Sequence, residues 1–383
     1  MARPLVAEIN LAALRHNYQL ALKQSPTALA LPMIKANAYG HGAVEVALAL
    51  ADLAPAFAVA CIEEAAPLRA AGIKQPITLI EGFFDASELP TIFANNYQPL
   101  IHSHWQVAAL ISYLSQHPAP AASLTLWLKV DTGMHRLGFL PEETSPIYQQ
   151  LNALSAIKKI ILTSHLACAD ELANPATLKQ LAVFKHLQQQ LNCPISIANS
   201  PATLAWPAAQ EGYLRPGIML YGVSPFDASL QEPLSLKPAI SLKPVLSLKP
   251  VMTLKTKLIS IRDLPAGESV GYGARFTTQK NTRIGVAACG YGDGYPRQAL
   301  DGTPVKVNGI TCGLAGRVSM DMLTIDLSNC PNAQIGDEVL LWGEGLPVNE
   351  VASYCDTISY TLLTGLMPRV KRVYLNPHLH SLL

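Results

Sequence analysis

The 383 residues, half of them hydrophobic, exceed what one small domain needs and can bury a large core, so two domains are expected. Balanced charge, 28 basic residues against 27 acidic ones spread along the chain, excludes the basic footprint of a nucleic-acid binder and points to a small-molecule partner. The opening MARPLVAEIN, cut by Pro4 and Glu8, is a poor export signal, and no apolar run is long enough to span a bilayer, so the expectation is a soluble cytoplasmic protein.

From residue 11 to about 225, short β-rich runs alternate with segments of helical period. The predicted strands are Leu29 to Lys35, Phe57 to Ile62, Ile77 to Glu81, Leu124 to Val130, Ile160 to His165, Ile195 to Asn199 and Leu214 to Tyr221. Between them lie helical stretches such as Leu11 to Lys23, with Leu11, Leu14 and Tyr18 on one face, and Glu63 to Ala71, stopped by Gly72. So many repeats indicate a (β/α)8 barrel over residues 1–232, with a doubly wound open sheet as the competing topology. The unit Ser-Leu-Lys-Pro then occurs three times, at Ser235, Ser241 and Ser247, and proline every six residues reads as an extended linker over 233–250. Beyond it, TLKTKLISI, TRIGVAA, TPVKVNGI, LTIDL and DEVLLW are short β-branched runs separated by Gly and Pro, an all-β domain over 251–383. The seven cysteines are widely spaced without a C-x-x-C pair, so reduced thiols are expected, and no metal site.

Unusual polar residues close the apolar strands. Lys35, Lys129, His165, Asn199 and Ser200 all fall at predicted strand ends, and a parallel barrel opens all such ends on the face where these folds place chemistry. A lone Lys or His there is more often a solvated group, but five together weaken that reading. A lysine leaving an apolar strand is partly desolvated, which favours the neutral amine needed to condense with a carbonyl. The helix following Lys35-Ala36-Asn37-Ala38-Tyr39-Gly40-His41-Gly42 and the backbone of Arg215-Pro216-Gly217-Ile218 both offer donors to a phosphate. The glycines of CGYGDGYPR make a weak dinucleotide fingerprint, because no helix follows them.

Nearly the whole chain resembles the bacterial alanine racemases, through VAEINLAALRHNY, PMIKANAYGHG, VDTGMHRLGF, RPGIMLYGVSP, ESVGYGARF, CGYGDGYPR, GRVSMDM and ISYTLLTGLMPRV in that order. The resemblance implies a pyridoxal 5'-phosphate barrel with a C-terminal β domain, interconversion of L- and D-alanine by two bases, and supply of D-alanine for peptidoglycan. By that match Lys35 would anchor the cofactor and act as one base, with Tyr272 serving the opposite face. A phenol deprotonates only near pH ~10, so a phenolate base needs cationic neighbours; His165 and Arg215 match residues in that role. Arg215 would face the pyridine nitrogen. Tyr39, Ser200, Tyr360 and the backbone of Gly217 and Ile218 match phosphate contacts, with Asn199 nearby. Arg136 would contact the cofactor's phenolic oxygen and the substrate carboxylate, and Lys129 matches a lysine carbamylated in many relatives.

The resemblance further implies a homodimer with shared active sites, in which Tyr272, Tyr291, Met320 and Asp321 come from the partner. Tyr291 and Met320 also read as ordinary core residues of their own domain. Relatives carry roughly one Leu-Lys-Pro-like unit where this chain has three, and the extra residues are expected to bulge outward from an unaltered site. A broader-specificity racemase, a single-barrel cofactor carrier and a decarboxylase are the alternatives; the missing export signal, the second domain with Tyr272 and the C-terminal motifs weigh against them in turn.

Overall fold

The computed structural model describes residues 3–117, 123–226 and 248–376. The first strand, β1 (Val6–Asn10), belongs to the second domain's sheet and was not among the predicted strands. Eight short parallel strands follow: β2 (Leu29–Ala30), β3 (Phe57–Val59), β4 (Ile77–Leu79), β5 (Tyr97–Ile101), β6 (Leu124–Lys129), β7 (Ile157–Thr163), β8 (Ile195–Ser196) and β9 (Tyr213–Leu214). Strands β3 to β8 pair in chain order, and β2 pairs with β9. The Ile34 N–H donates to Ala58 O at 2.8 Å and the Arg215 N–H to Ala198 O at 2.9 Å, which joins β2 to β3 and β8 to β9. The ring is thereby closed, as expected of the barrel and not of an open sheet. Its strands are buried almost throughout, which explains their continuous apolar runs.

Several predicted boundaries move. Pro99 sits inside β5 and argues against a strand by sequence, yet β5 pairs in parallel with β4 and β6. The strand predicted for Leu214 to Tyr221 stops at Leu214, because Pro216 has no N–H and Ile218–Tyr221 winds into a 3-10 turn. Ladder pairing of the first barrel strand continues to Ile34, and Lys35 opens a separate turn, Lys35–Tyr39.

The second domain holds a long bent strand, β10 (Met252–Leu264), with β11 (Ser269–Val270), β12 (Phe276–Thr277), β13 (Thr282–Ala287), β14 (Pro304–Val307), β15 (Ile310–Leu314), β16 (Leu323–Asp326), β17 (Glu338–Trp342) and β18 (Lys371–Leu375). The order β13-β16-β15-β14-β17-β10 closes on itself because the far half of β10, beyond an irregularity at Leu258, pairs with β13. The near half of β10 also takes β1 antiparallel, and β1 takes β18 in parallel.

Most of the Ser-Leu-Lys-Pro repeat lies outside the described residues. Its last unit is present from Leu248, and there the buried Asn17 side chain accepts from Lys249 N–H at 2.9 Å and donates to Lys249 O at 2.8 Å. The chain is thus pinned to the first barrel helix, Leu11–Leu22, just before β10 begins. Among the described residues no helix is long and apolar enough to cross a membrane.

Candidate active site

Lys35 leaves the barrel through an unusual backbone. Ala36, Asn37, Ala38 and Tyr39 all have φ between 51 and 53°, a left-handed turn that disfavours side-chain-bearing residues by about 1–2 kcal/mol each. Gly40 ends it with φ 83°, packed so closely on the Leu363 carbonyl that no β-carbon would fit. The turn points the Lys35 side chain into a cavity of ≈ 1340 Å³ at the barrel mouth, roofed by residues of the second domain. Burial lowers the Lys35 pKa; Glu81 and Glu64 oppose this and Arg136 and Arg215 add to it. The amine is therefore more readily neutral than an ordinary lysine.

A cluster of basic groups shares that cavity. Arg215 is only 7 % exposed, and its guanidinium donates to Thr163 Oγ1, Ser196 Oγ and the carbonyls of Ser164 and Ile197. Burial pushes its pKa down to about 10, so it remains a cation at neutral pH. It also approaches His165 Nδ1 at 3.5 Å. Burial first, then the charges of Arg215, Lys129 and Arg136, hold the His165 pKa well below its usual value. Burial and these charges favour the neutral imidazole, leaving Arg215 as the charged group behind it. With Nδ1 accepting from Arg215, its proton resides on Nε2.

Lys129, at the end of β6, is pushed well below the lysine range by burial and then by Arg215 and Arg136. The following loop is organised by a residue the sequence did not single out. Asp131 Oδ1 accepts from the N–H groups of Gly133, Met134 and His135 at 2.9, 3.1 and 3.0 Å, folding the loop that presents the exposed Arg136.

In the same cavity, Ser200 opens the short helix Ser200–Ala205, with Asn199 as its N-cap. Ser200 Oγ accepts from the N–H groups of Gly217 at 2.8 Å and Met219 at 3.3 Å, so hydroxyl, Gly217 and Ile218 backbone lie together. Gly217 is required by its neighbour, since a β-carbon there would meet the Tyr39 hydroxyl at 2.6 Å. Tyr360, from the second domain's helix Ser359–Thr364, faces Tyr39 with ring centroids 6.0 Å apart. Burial raises the pKa of both phenols, that of Tyr360 to about 12, so each keeps a proton to donate.

One cavity therefore gathers Lys35, Tyr39, Lys129, Arg136, His165, Asn199, Ser200, Arg215, Gly217, Ile218 and Tyr360. The other four predicted residues lie elsewhere in the same chain. Tyr272, Tyr291 and Met320 are 69, 38 and 54 % exposed on the second domain, so Tyr291 and Met320 are not core residues. Their loops are zipped together: Tyr291 N–H donates to Ser319 O at 3.0 Å and Gly292 N–H to Met320 O at 2.8 Å. Asp321 and the buried Asp293 fasten this assembly through ion pairs to Arg3 and Arg369. Gly290 and Gly292 in CGYGDGYPR allow that close approach, the role of the glycines dismissed as a dinucleotide fingerprint.

The buried histidines predict acid sensitivity. Burial lowers the His41 pKa to about 4, and the His165 pKa falls with it. Both are neutral when folded but protonate near pH ~6.5 when unfolded, so the unfolded chain binds more protons below that pH. Stability should fall as pH drops from about 6.5 towards 4, by up to about 3 kcal/mol for His41 alone. Urea unfolding across that range checks this, and His41→Asn should flatten the slope.

A half-buried lysine whose pKa is lowered by burial, sharing one cavity with a buried arginine and the Ser200, Gly217 and Ile218 backbone, in a barrel capped by a β domain, defines a class of barrel enzyme that works through an amine. Residues 9–225 match the family model "Alanine racemase, N-terminal domain" and residues 251–374 match "Alanine racemase, C-terminal domain". The chain belongs to the alanine racemase family. It is 52% identical over 377 residues to the alanine racemase of Chromohalobacter salexigens, covering 98% of this chain and 99% of that one. Among solved structures, the biosynthetic alanine racemase from Pseudomonas aeruginosa superposes with a TM-score of 0.90 at 46% identity, covering 98% and 100% of the two chains. The alanine racemase from Bartonella henselae, with covalently bound pyridoxal phosphate, does so with 0.85 at 29% identity, covering 97% and 99%.

Proposed function

We propose that this chain is an alanine racemase that interconverts L- and D-alanine with pyridoxal 5'-phosphate anchored on Lys35, in a cytoplasmic homodimer supplying D-alanine for peptidoglycan. The observation that carries the reading is the cavity itself, which joins a desolvated Lys35 amine, the Ser200 and Gly217–Ile218 cradle and the charged Arg215. These residues fit the cofactor: Tyr39, Ser200, Tyr360 and the Gly217 and Ile218 backbone would hold its phosphate, with Asn199 beside them, and Arg215 its ring nitrogen. When bound, the cofactor draws electrons from the substrate's α carbon and so acidifies the hydrogen there.

Lys35 Nζ, whose pKa is lowered by burial, takes up or returns the α proton on one face. Tyr272 of the partner subunit does so on the other, since in its own chain it lies outside the cavity. His165, with its proton on Nε2 and Arg215 behind it, would steady the phenolate. Arg215 holds its own protons too tightly to pass one to the ring nitrogen, which limits the electron sink and favours proton return over transamination. Arg136 would bind the substrate carboxylate, and the partner's Tyr291, Met320 and Asp321 would narrow the remaining space to a small side chain. Purified protein supplied with the cofactor should form D-alanine from L-alanine; no D-alanine would reject the assignment.

Lys129 carries its own expectation. Its neutral amine can add carbon dioxide and release one proton, leaving a carbamate anion beside Arg136 and Arg215, where an ammonium is disfavoured. Protein equilibrated with 13C-bicarbonate should show one carbamate carbon resonance, which Lys129→Ala removes; its persistence in that variant would place the modification elsewhere.

A further inference from the structure

Four successive residues with side chains in left-handed geometry persist only where the surroundings over-determine them. Three side chains grip this turn. The Glu64 carboxylate, from the helix Ile62–Ala70, accepts the Ala36 N–H on Oε1 at 2.7 Å and the Ala60 N–H on Oε2 at 2.8 Å. His41 Nδ1 lies 3.0 and 2.9 Å from the carbonyl oxygens of Ala38 and Tyr39, with its ring stacked on Tyr221. Arg372, on β18, donates its Nε to Gly40 O at 2.6 Å. His41 and Arg372 hold the far end. Glu64 alone of the three holds the peptide next to Lys35, and it ties that peptide to the chain just beyond β3.

We propose that Glu64 is a positioning residue for Lys35: by bridging the Ala36 and Ala60 N–H groups it locks the left-handed turn and fixes the direction in which the amine enters the cavity. The proposal rests on the reading that Lys35 carries the cofactor. Both carboxylate oxygens are used, so a glutamine cannot replace them: its single oxygen serves one N–H, and its NH2 group would face the other donor. Ala36 is exposed at φ 51°, which supplies an independent lever. Glycine there removes the left-handed penalty, whereas a β-branched residue increases it.

The test starts from cofactor-free protein and follows attachment of pyridoxal 5'-phosphate by its visible absorbance, with borohydride reduction and peptide mass to locate the adduct. At a pH high enough that the Lys35 amine is neutral with or without the Glu64 charge, Glu64→Gln should slow attachment to Lys35 about tenfold or more, as expected for a reacting group displaced by a fraction of an ångström. The loaded variant should lose kcat with little change in KM for alanine. Adding Ala36→Gly to Glu64→Gln should recover much of the rate, a rescue that a merely structural lesion would not show. If Glu64→Gln fails to fold, Ala36→Val strains the same turn with Glu64 intact and should slow attachment in the same way. Wild-type attachment rates in the folded Glu64→Gln protein, or in Ala36→Val where that is the variant used, would overturn the proposal, as would a slow Glu64→Gln that Ala36→Gly does not restore. Wild-type protein that never attaches the cofactor at Lys35 would instead overturn the reading of Lys35 itself.

Discussion

Lys35→Ala is expected to lower racemisation about 10⁴-fold or more, because on the proposed function it removes the covalent anchor and one of the two proton-transferring groups at once. The cavity holds a second amine, Lys129, but that group lies on another strand, within reach of the charges of Arg215 and Arg136, and cannot take over the turn's position. Borohydride-treated wild-type protein should carry the reduced adduct on the peptide containing residues 32–42, and Lys35→Ala should carry none. An adduct on another lysine, or undiminished D-alanine formation, would refute the assignment. The pH dependence has a definite sign. Burial lowers the Lys35 pKa, so attachment should speed up with rising pH and level off below 10.5, the ordinary lysine value.

Tyr272→Phe should lower turnover about 10²- to 10⁴-fold, the range for loss of one positioned acid or base. Both directions must fall together, since the equilibrium between enantiomers is unchanged. One enantiomer should nevertheless go on exchanging its α hydrogen for deuterium without inverting, through Lys35 alone. Unimpaired racemisation in both directions would show that Tyr272 is not a base. Mixing the two inactive variants is more incisive. If each site combines Lys35 of one subunit with Tyr272 of the other, a Lys35→Ala and Tyr272→Phe heterodimer contains one intact site and one doubly damaged site. Random subunit exchange would then restore about a quarter of wild-type activity. No recovery, with exchange verified by mass, would place both groups in one chain.

The barrel side of the site was legible because its signal is local. An apolar run that ends in Lys, His or Asn marks a strand terminus, and closure of the ring brings Lys35, Lys129, His165 and Asn199 to one mouth. Glu64 was not legible: Ile62-Glu63-Glu64 looks like an ordinary acidic first turn, and only the backbone of Ala36 and Ala60 gives that carboxylate a task. Asp131 was hidden for the same reason, since its partners are N–H groups of its own loop. The left-handed turn was invisible because in Ala-Asn-Ala-Tyr only Asn37 favours that region, and then as a single residue; the geometry is imposed by tertiary contacts. Exposure of Tyr272 and Met320 could not be read from apolar residue types that fit a core equally well.

The strand β1 has a kinetic consequence. It is made well before its partners, for Val6 pairs with Lys255 on one side and Lys371 on the other. A nascent chain can assemble barrel strands while β1 waits, and β1 is paired on both sides only once β10 and β18 have followed. Loop-closure entropy at that sequence separation makes such pairing slow. Because Arg372 on β18 holds Gly40, the lysine turn also waits for that strand, so competence to take up a cofactor should mature only after the second domain has been made.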